Sequence, residues 1–219
     1  MAEIYSNETD GYVYNYVTDT WANVRDDEEG SHVSSSAHYW SRSIRTFHTS
    51  GRGGDTYYVG RSFFAFDTSG ISLTPSEATL KIFGYGNGDG DVIAVKATKP
   101  DLSTGIVAAD FDAIIGFIAG ASMNGNVIDY SSRVGTWSTT AYNDITLNGT
   151  ALSDMRSKSV FSVCLVEYDH DYLNSAPSGA DFDSGCWFAD EESTGKDPYI
   201  DYTPGVAAAD NATFFGANF

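Results

Sequence analysis

Hydrophobic and polar positions alternate most clearly between Thr56 and Gly86, in the run TYYVGRSFFAFDTSGISLTPSEATLKIFGYG. Phe64 and Phe66 share one face, and Ala78, Leu80 and Ile82 alternate with Thr79 and Lys81. A period of two sends successive side chains to opposite sides of a sheet. Ser, Gly and Pro crowd the segment between, with Thr68-Ser69-Gly70 and Thr74-Pro75-Ser76 supplying turn chemistry. The pattern predicts two strands joined by a turn-rich loop, in an antiparallel sheet buried on one side.

The same style recurs along the chain. Residues 12–23 read as a strand with Tyr12, Tyr14 and Tyr16 on one face, and residues 39–48 as another. Residues 91–98 place Ile93 and Val95 together, and residues 160–168 align Phe161, Val163 and Leu165. Residues 185–190 and 199–203 complete the set. The Gly-rich turn at 86–91 predicts a hairpin over residues 81–98. Two helices are expected. Val107, Phe111, Ile114 and Ile115 form an apolar stripe closed by Gly116. Residues 149–157 follow, with Asn148 or Thr150 as cap and Leu152 and Met155 facing inward. The prediction is an all-β antiparallel domain over residues 11–203, with one or two short helices in its connections. A polar arm at 1–10 precedes it and a second arm at 204–219 follows.

Composition narrows the function classes. A chain of 219 residues is long enough for one large domain with its own core. Its 14 Tyr and 13 Phe suit pleated, partly buried surfaces. A net charge of −18 argues against nucleic acid, whose phosphates need Lys and Arg. The first residues carry no basic n-region and no apolar h-region, so synthesis in the cytoplasm without a signal peptide is expected. No apolar run is long enough to span a bilayer, so no membrane partner is expected. Two cysteines are too few for a disulfide framework. Cys164, in an apolar strand, is expected as a buried free thiol, with a bridge to Cys186 left open.

Candidate chemistry is sparse. Asn87, Asp89 and Asp91 place side-chain oxygens two residues apart, a candidate structural Ca²⁺ site. An EF-hand would need Glu at position 98, which is Thr98, so a plain turn is the preferred reading and no cofactor is required. Asp169, Asp171, Asp181 and Asp183 read as a solvated acidic loop. The glycines at 84, 86, 88 and 90 precede a strand, not the helix a phosphate loop requires. His32, His38, His48 and His170 are scattered, with no nucleophile elbow or zinc motif, and a non-enzymatic protein is predicted. Aromatic faces stack on sugar C–H surfaces, which makes Trp21, Trp40, Tyr58, Trp137 and Trp187 the candidate glycan-binding residues. The pairs Tyr39-Trp40 and Tyr57-Tyr58 should point to opposite faces. After Pro204 the chain carries Phe214, Phe215 and Phe219, a candidate docking arm for a neighbouring subunit.

The strings Arg61-Ser62-Phe63-Phe64-Ala65-Phe66-Asp67 and Ala78-Thr79-Leu80-Lys81-Ile82, with Ser69 and Ile71 between, resemble the DNRLRE domain. Asp19 to Val24 and Asp197 to Tyr202 are similar to its opening and closing strands, so the likeness spans residues 18–203. It implies a jelly-roll β-sandwich allied to carbohydrate-binding modules. Members of the family are typically exported. An acidic jelly roll without an export signal looks more like a bacteriophage virion protein. The resemblance therefore implies a non-enzymatic capsid decoration, fibre or appendage subunit. Its expected partners are copies of itself, with a trimer expected by analogy, and other virion proteins. The alternatives are a carbohydrate-binding module for surface glycan and, after that, a polysaccharide-active enzyme.

Overall fold

The computed structural model describes residues 1–35, 43–88, 90–179, 182–189 and 195–207. Eleven antiparallel strands run through them: β1 (Ala2–Tyr5), β2 (Gly11–Thr18), β3 (His32–Ser34), β4 (Ile44–Gly51), β5 (Gly54–Asp67), β6 (Glu77–Gly88), β7 (Val92–Lys96), β8 (Tyr142–Thr146), β9 (Val160–Glu167), β10 (Phe182–Cys186) and β11 (Tyr199–Thr203). One sheet is ordered β1–β11–β6–β8. The other is built on β5, which pairs β2 along one edge and β4 then β9 along the other. From there β2 leads to β3, β4 to β10, and β9 to β7. β6 pairs β11 through Glu77–Lys81 and β10 through Gly84–Gly88, so it links the two sheets. The chain is an all-β antiparallel sandwich.

The period-two pattern lands where it should. Phe64, Phe66, Leu80, Ile82, Phe161 and Leu165 fill the core between the sheets. The intervening residues Phe63, Cys164 and Val166 do not face water. They meet a second core with Ile93 and Val95, covered by Trp21, Val24, Phe111, Ile114, Met123 and Tyr172. This is why residues 58–66 of β5 are buried without a break, where the sequence predicts burial on one side only. A strand covered on both faces reads as a continuous apolar run. Tyr57 and Tyr58 do point to opposite faces, the former against Trp21 and the latter against Tyr14.

Several elements depart from expectation. Residues 2–5 are not a free arm but an edge strand, in register with β11 from Ala2–Tyr202 to Tyr5–Tyr199. β2 stops at Thr18, and a short helix α1 (Trp21–Arg25) follows. Thr20 starts it by accepting the Asn23 amide at 3.3 Å. The predicted helix over 107–116 is a single 3-10 turn at Ala108–Asp110. Of the expected apolar stripe Phe111 and Ile114 are buried while Val107 is exposed, and Ile115 donates to Lys96 O at 2.9 Å and Ile114 bridges to Ala97, so the segment pairs with the sheet instead of coiling. The hairpin over 81–98 does not form. β6 ends paired with β10, and β7 pairs β9. The strand expected at 185–190 is shifted to β10. Helix α2 (Gly149–Ser157) forms as predicted, with Asn148 accepting from Thr150 and Ala151. Ala151 and Met155 are its buried residues, and Leu152 is partly buried.

Cys164 and Cys186 are both free and buried. Burial pushes the Cys186 thiol up to about 12 and that of Cys164 up as well. At one bend Gly is required by space: a Cβ on Gly84 would lie 1.8 Å from the Ser138 carbonyl oxygen. Gly84→Ala is therefore expected to cost roughly 1–3 kcal/mol of stability in urea unfolding, since backbone must move aside. An unchanged midpoint would contradict that close approach.

Candidate functional site

Alternation in β6 turns Leu80 and Ile82 inward and sends Phe83 to the outer face of the first sheet, with Tyr85 following it where β6 pairs β10. Register then assembles an aromatic strip from four strands and the residue that follows a fifth. Tyr5 on β1 lies opposite Tyr199 on β11, with ring centroids 5.5 Å apart. Tyr199 meets Tyr142 of β8 at 5.2 Å and 77°, and Tyr142 meets its cross-strand partner Phe83 at 5.1 Å and 83°. Trp187, just past β10, sets its ring at 82° to Tyr85, 5.3 Å away. Lys196 joins the halves, its Nζ 3.8 Å from the Trp187 ring centroid and 5.1 Å from that of Phe83.

The strip is ordered before any ligand arrives. Edge-to-face contacts hold the rings, and the Tyr142 hydroxyl donates to the Gly195 and Asp197 carbonyls, both at 3.2 Å. Burial, with nearby Tyr199 and Asp197, raises Tyr142 to about 12, so it stays a neutral donor. Tyr5 at the strip's end is 54% exposed, and the other rings are half-buried. Polar groups border the rings, among them the Lys81–Asp144 pair at 2.7 Å. Fixed aromatic surface edged by donors and acceptors can hold a flat polar ligand at low cost in side-chain entropy.

Of the sequence candidates for sugar stacking among the described residues, Trp187 alone falls on this strip. Trp21 and Trp137 are buried, with indole N–H groups donating to Asn174 Oδ1 at 3.0 Å and Gly185 O at 2.9 Å. Tyr58 is buried in a different array, a near-parallel stack in which Phe188, Tyr12, Tyr14 and Tyr58 succeed one another at 4.9–5.8 Å. Trp40 lies outside the described residues, as do Phe214, Phe215 and Phe219. Sequence reasoning missed Tyr5, Phe83, Tyr85, Tyr142 and Tyr199. The signal for Phe83 and Tyr85 was present, as the large residues out of phase with Leu80 and Ile82.

Other candidate side chains that the structure describes are taken up in ion pairs and hydrogen bonds. Asp91 is ion-paired with Arg133. Asp89 and the side chain of Asn87 lie outside the described residues. Among the described residues no group of three or more His, Cys, Asp or Glu is arranged to hold a metal ion. The acidic loop is not simply solvated. Asp169 lies 3.5 Å from Arg133, Asp171 and Asp183 are fully buried, and Asp181 lies outside the described residues. Asp171 receives Arg61 Nε and Nη2, both at 2.8 Å, in a two-pronged pair beneath the second core. Arg61 also donates to Phe111 O and Arg25 O, and its guanidinium lies 4.2 Å from the Phe111 ring centroid. Arg25 Nε donates to Asp171 O at 2.9 Å. Every Arg61 nitrogen is engaged, which makes this an anchor and not a receptor.

Ser50, His48 and Asp55 meet at the β4–β5 hairpin without forming a relay. Asp55 Oδ1 at 3.2 Å and Ser50 Oγ at 3.4 Å both face His48 Nε2, and the Ser50 hydroxyl donates to Asp55 at 2.6 Å. A nucleophile and its orienting carboxylate need opposite ring nitrogens. No helix among the described residues is long and apolar enough to cross a membrane. No protein-family model matches this chain, and no curated protein matches it.

Proposed function

We propose that this chain is a non-catalytic binding module, and that its working surface is the aromatic strip on the first sheet, which takes carbohydrate. The supporting observation is the row of pre-ordered rings at Tyr5, Tyr199, Tyr142, Phe83, Trp187 and Tyr85. Sugar rings present C–H faces to aromatic carbon and hydroxyls to the polar border, and the contact needs no cofactor. The likeness of residues 61–82 to the DNRLRE domain, allied to carbohydrate-binding modules, points the same way.

A glycan array probed with the intact chain tests this. Binding is expected to fall roughly fivefold to tenfold in Tyr5→Ala and in Tyr85→Ala, an aromatic contact each, with melting temperatures little changed. A blank array, or hits that both variants retain in full, would end the reading.

The second reading is the virion structural subunit, in which the strip is covered by another copy or by a different particle protein. The observation favouring it is that Tyr5 sits on β1, an edge strand, where a neighbouring chain can pair. Aromatic side chains are also enriched where subunits meet. Light scattering separates the two: an oligomer that Tyr5→Ala dissociates assigns the strip to assembly.

A further inference from the structure

Only five lysines stand among the 219 residues, against 30 Asp and Glu, and two of them line one cavity with a third next to it in the chain. The cavity, of about 250 Å³, opens beside β7 and the start of β9 and is lined by both Lys96 and Lys158. Lys99 falls between the lining residues Thr98 and Pro100. Ile115, Pro100 and Val160 give it an apolar wall, and Ser162 a hydroxyl.

Two carboxylates stand close, and both are already engaged. Asp154 Oδ2 takes Lys96 Nζ at 2.7 Å and the Tyr130 hydroxyl at 2.6 Å. Asp101 accepts the Ser103 amide and hydroxyl and the Thr104 amide, and lies 3.4 Å from Lys99 Nζ. Three ammonium groups against two carboxylates leave one positive charge, in a protein whose total is −18. Each ammonium has three N–H donors, and Lys96 and Lys99 each give one to a carboxylate. Lys158 feels the Asp154 charge but makes no ion pair among the described residues. The remote negative charges do not cancel this site, because screening at physiological salt acts over about 8 Å.

We propose that this cavity binds a small oxyanion, a carboxylate or phosphate, on a ligand of monosaccharide size. Lys158 makes the direct contact, Lys96 adds its remaining N–H donors, Lys99 holds the lining carboxylate Asp101, and the apolar wall takes the ligand's carbon face. The site is independent of the aromatic strip.

The intact protein is titrated with glucuronate, inorganic phosphate and glucose, with backbone amide NMR shifts as readout, alongside Lys158→Gln and the distant Lys81→Gln. Saturable shifts around Lys96, Thr98 and Ser162 are expected with an anion and not with glucose. Lys158→Gln should weaken them about tenfold or more, the loss of one charge-assisted hydrogen bond, and Lys81→Gln should leave them unchanged. Saturation by glucuronate alone assigns a sugar acid, and saturation by phosphate a phosphorylated ligand. No saturation by either anion, equal saturation by glucose, or superimposable Lys158→Gln curves would overturn the proposal.

Discussion

Replacing Arg61 by methionine is expected to lower the unfolding free energy by about 3–5 kcal/mol, the cost of stranding a buried charge. Arg61 and Asp171 are both fully buried, 110 residues apart in the chain, and joined by two hydrogen bonds of 2.8 Å. Methionine keeps much of the stem's volume but takes away the donor to Asp171 Oδ2 and the stronger of the two donors to Oδ1, and frees the Phe111 and Arg25 carbonyls. Arg25 compensates in part only, because its Nε is shared between Asp171 O and Oδ1 and its Nη1 is held by Asp26. The loss should concentrate in the second core, where Trp21 reports on the covering layer. A double-mutant cycle with Asp171→Asn decides whether the pair is the cause. The doubly substituted protein should recover part of the loss, since no lone charge remains. Strict additivity of the two single losses would mean that the residues act separately.

That anchor also marks where sequence reading reaches its limit. Faces within one strand were legible, because period two is a local property. Hence Phe64 with Phe66, Leu80 with Ile82, and Phe161 with Leu165 fall together as expected. Helix α2 was legible from Asn148 and the spacing of its apolar residues. Pairing between distant strands was not, and the expected hairpin across the glycine turn gave way to β7 on β9. The covering segment 107–117 was misread for a related reason. Phe111 and Ile114 suit a helix face equally well as an irregular layer over β7. A lone Arg in the apolar run of β5 was the one local sign of a buried partner, yet nothing near it in sequence named Asp171. The aromatic strip combines residues from four strands with Trp187 after β10, so its existence depends on register and appears only once the sheets are assembled.

Stability should fall as pH rises from about 4.5 to about 7, and Glu167→Gln should remove much of that slope. Glu167 ends β9 fully buried, and burial pushes its carboxyl up from 4.5 to about 7. Its Oε1 accepts the Asp169 amide, while Oε2 accepts the His170 and Asp171 amides and the Thr46 hydroxyl. Those donors favour the charged form, and Asp171 nearby opposes it, but loss of hydration is the largest effect. Between the two values the folded protein holds a proton that the unfolded chain has released. Stability therefore decreases with pH across that window and is fully present below it. A shift from 4.5 to about 7 corresponds to about 3 kcal/mol. Glutamine imitates the protonated acid, so urea midpoints for parent and variant should diverge steadily from pH 4.5 to 7, with the variant relatively more stable at the upper end. Comparing the two proteins cancels the growing repulsion of a −18 surface, which both share. Parallel pH curves would mean that the three amides and Thr46 replace the lost hydration in full, and that Glu167 is ionised in the folded chain throughout.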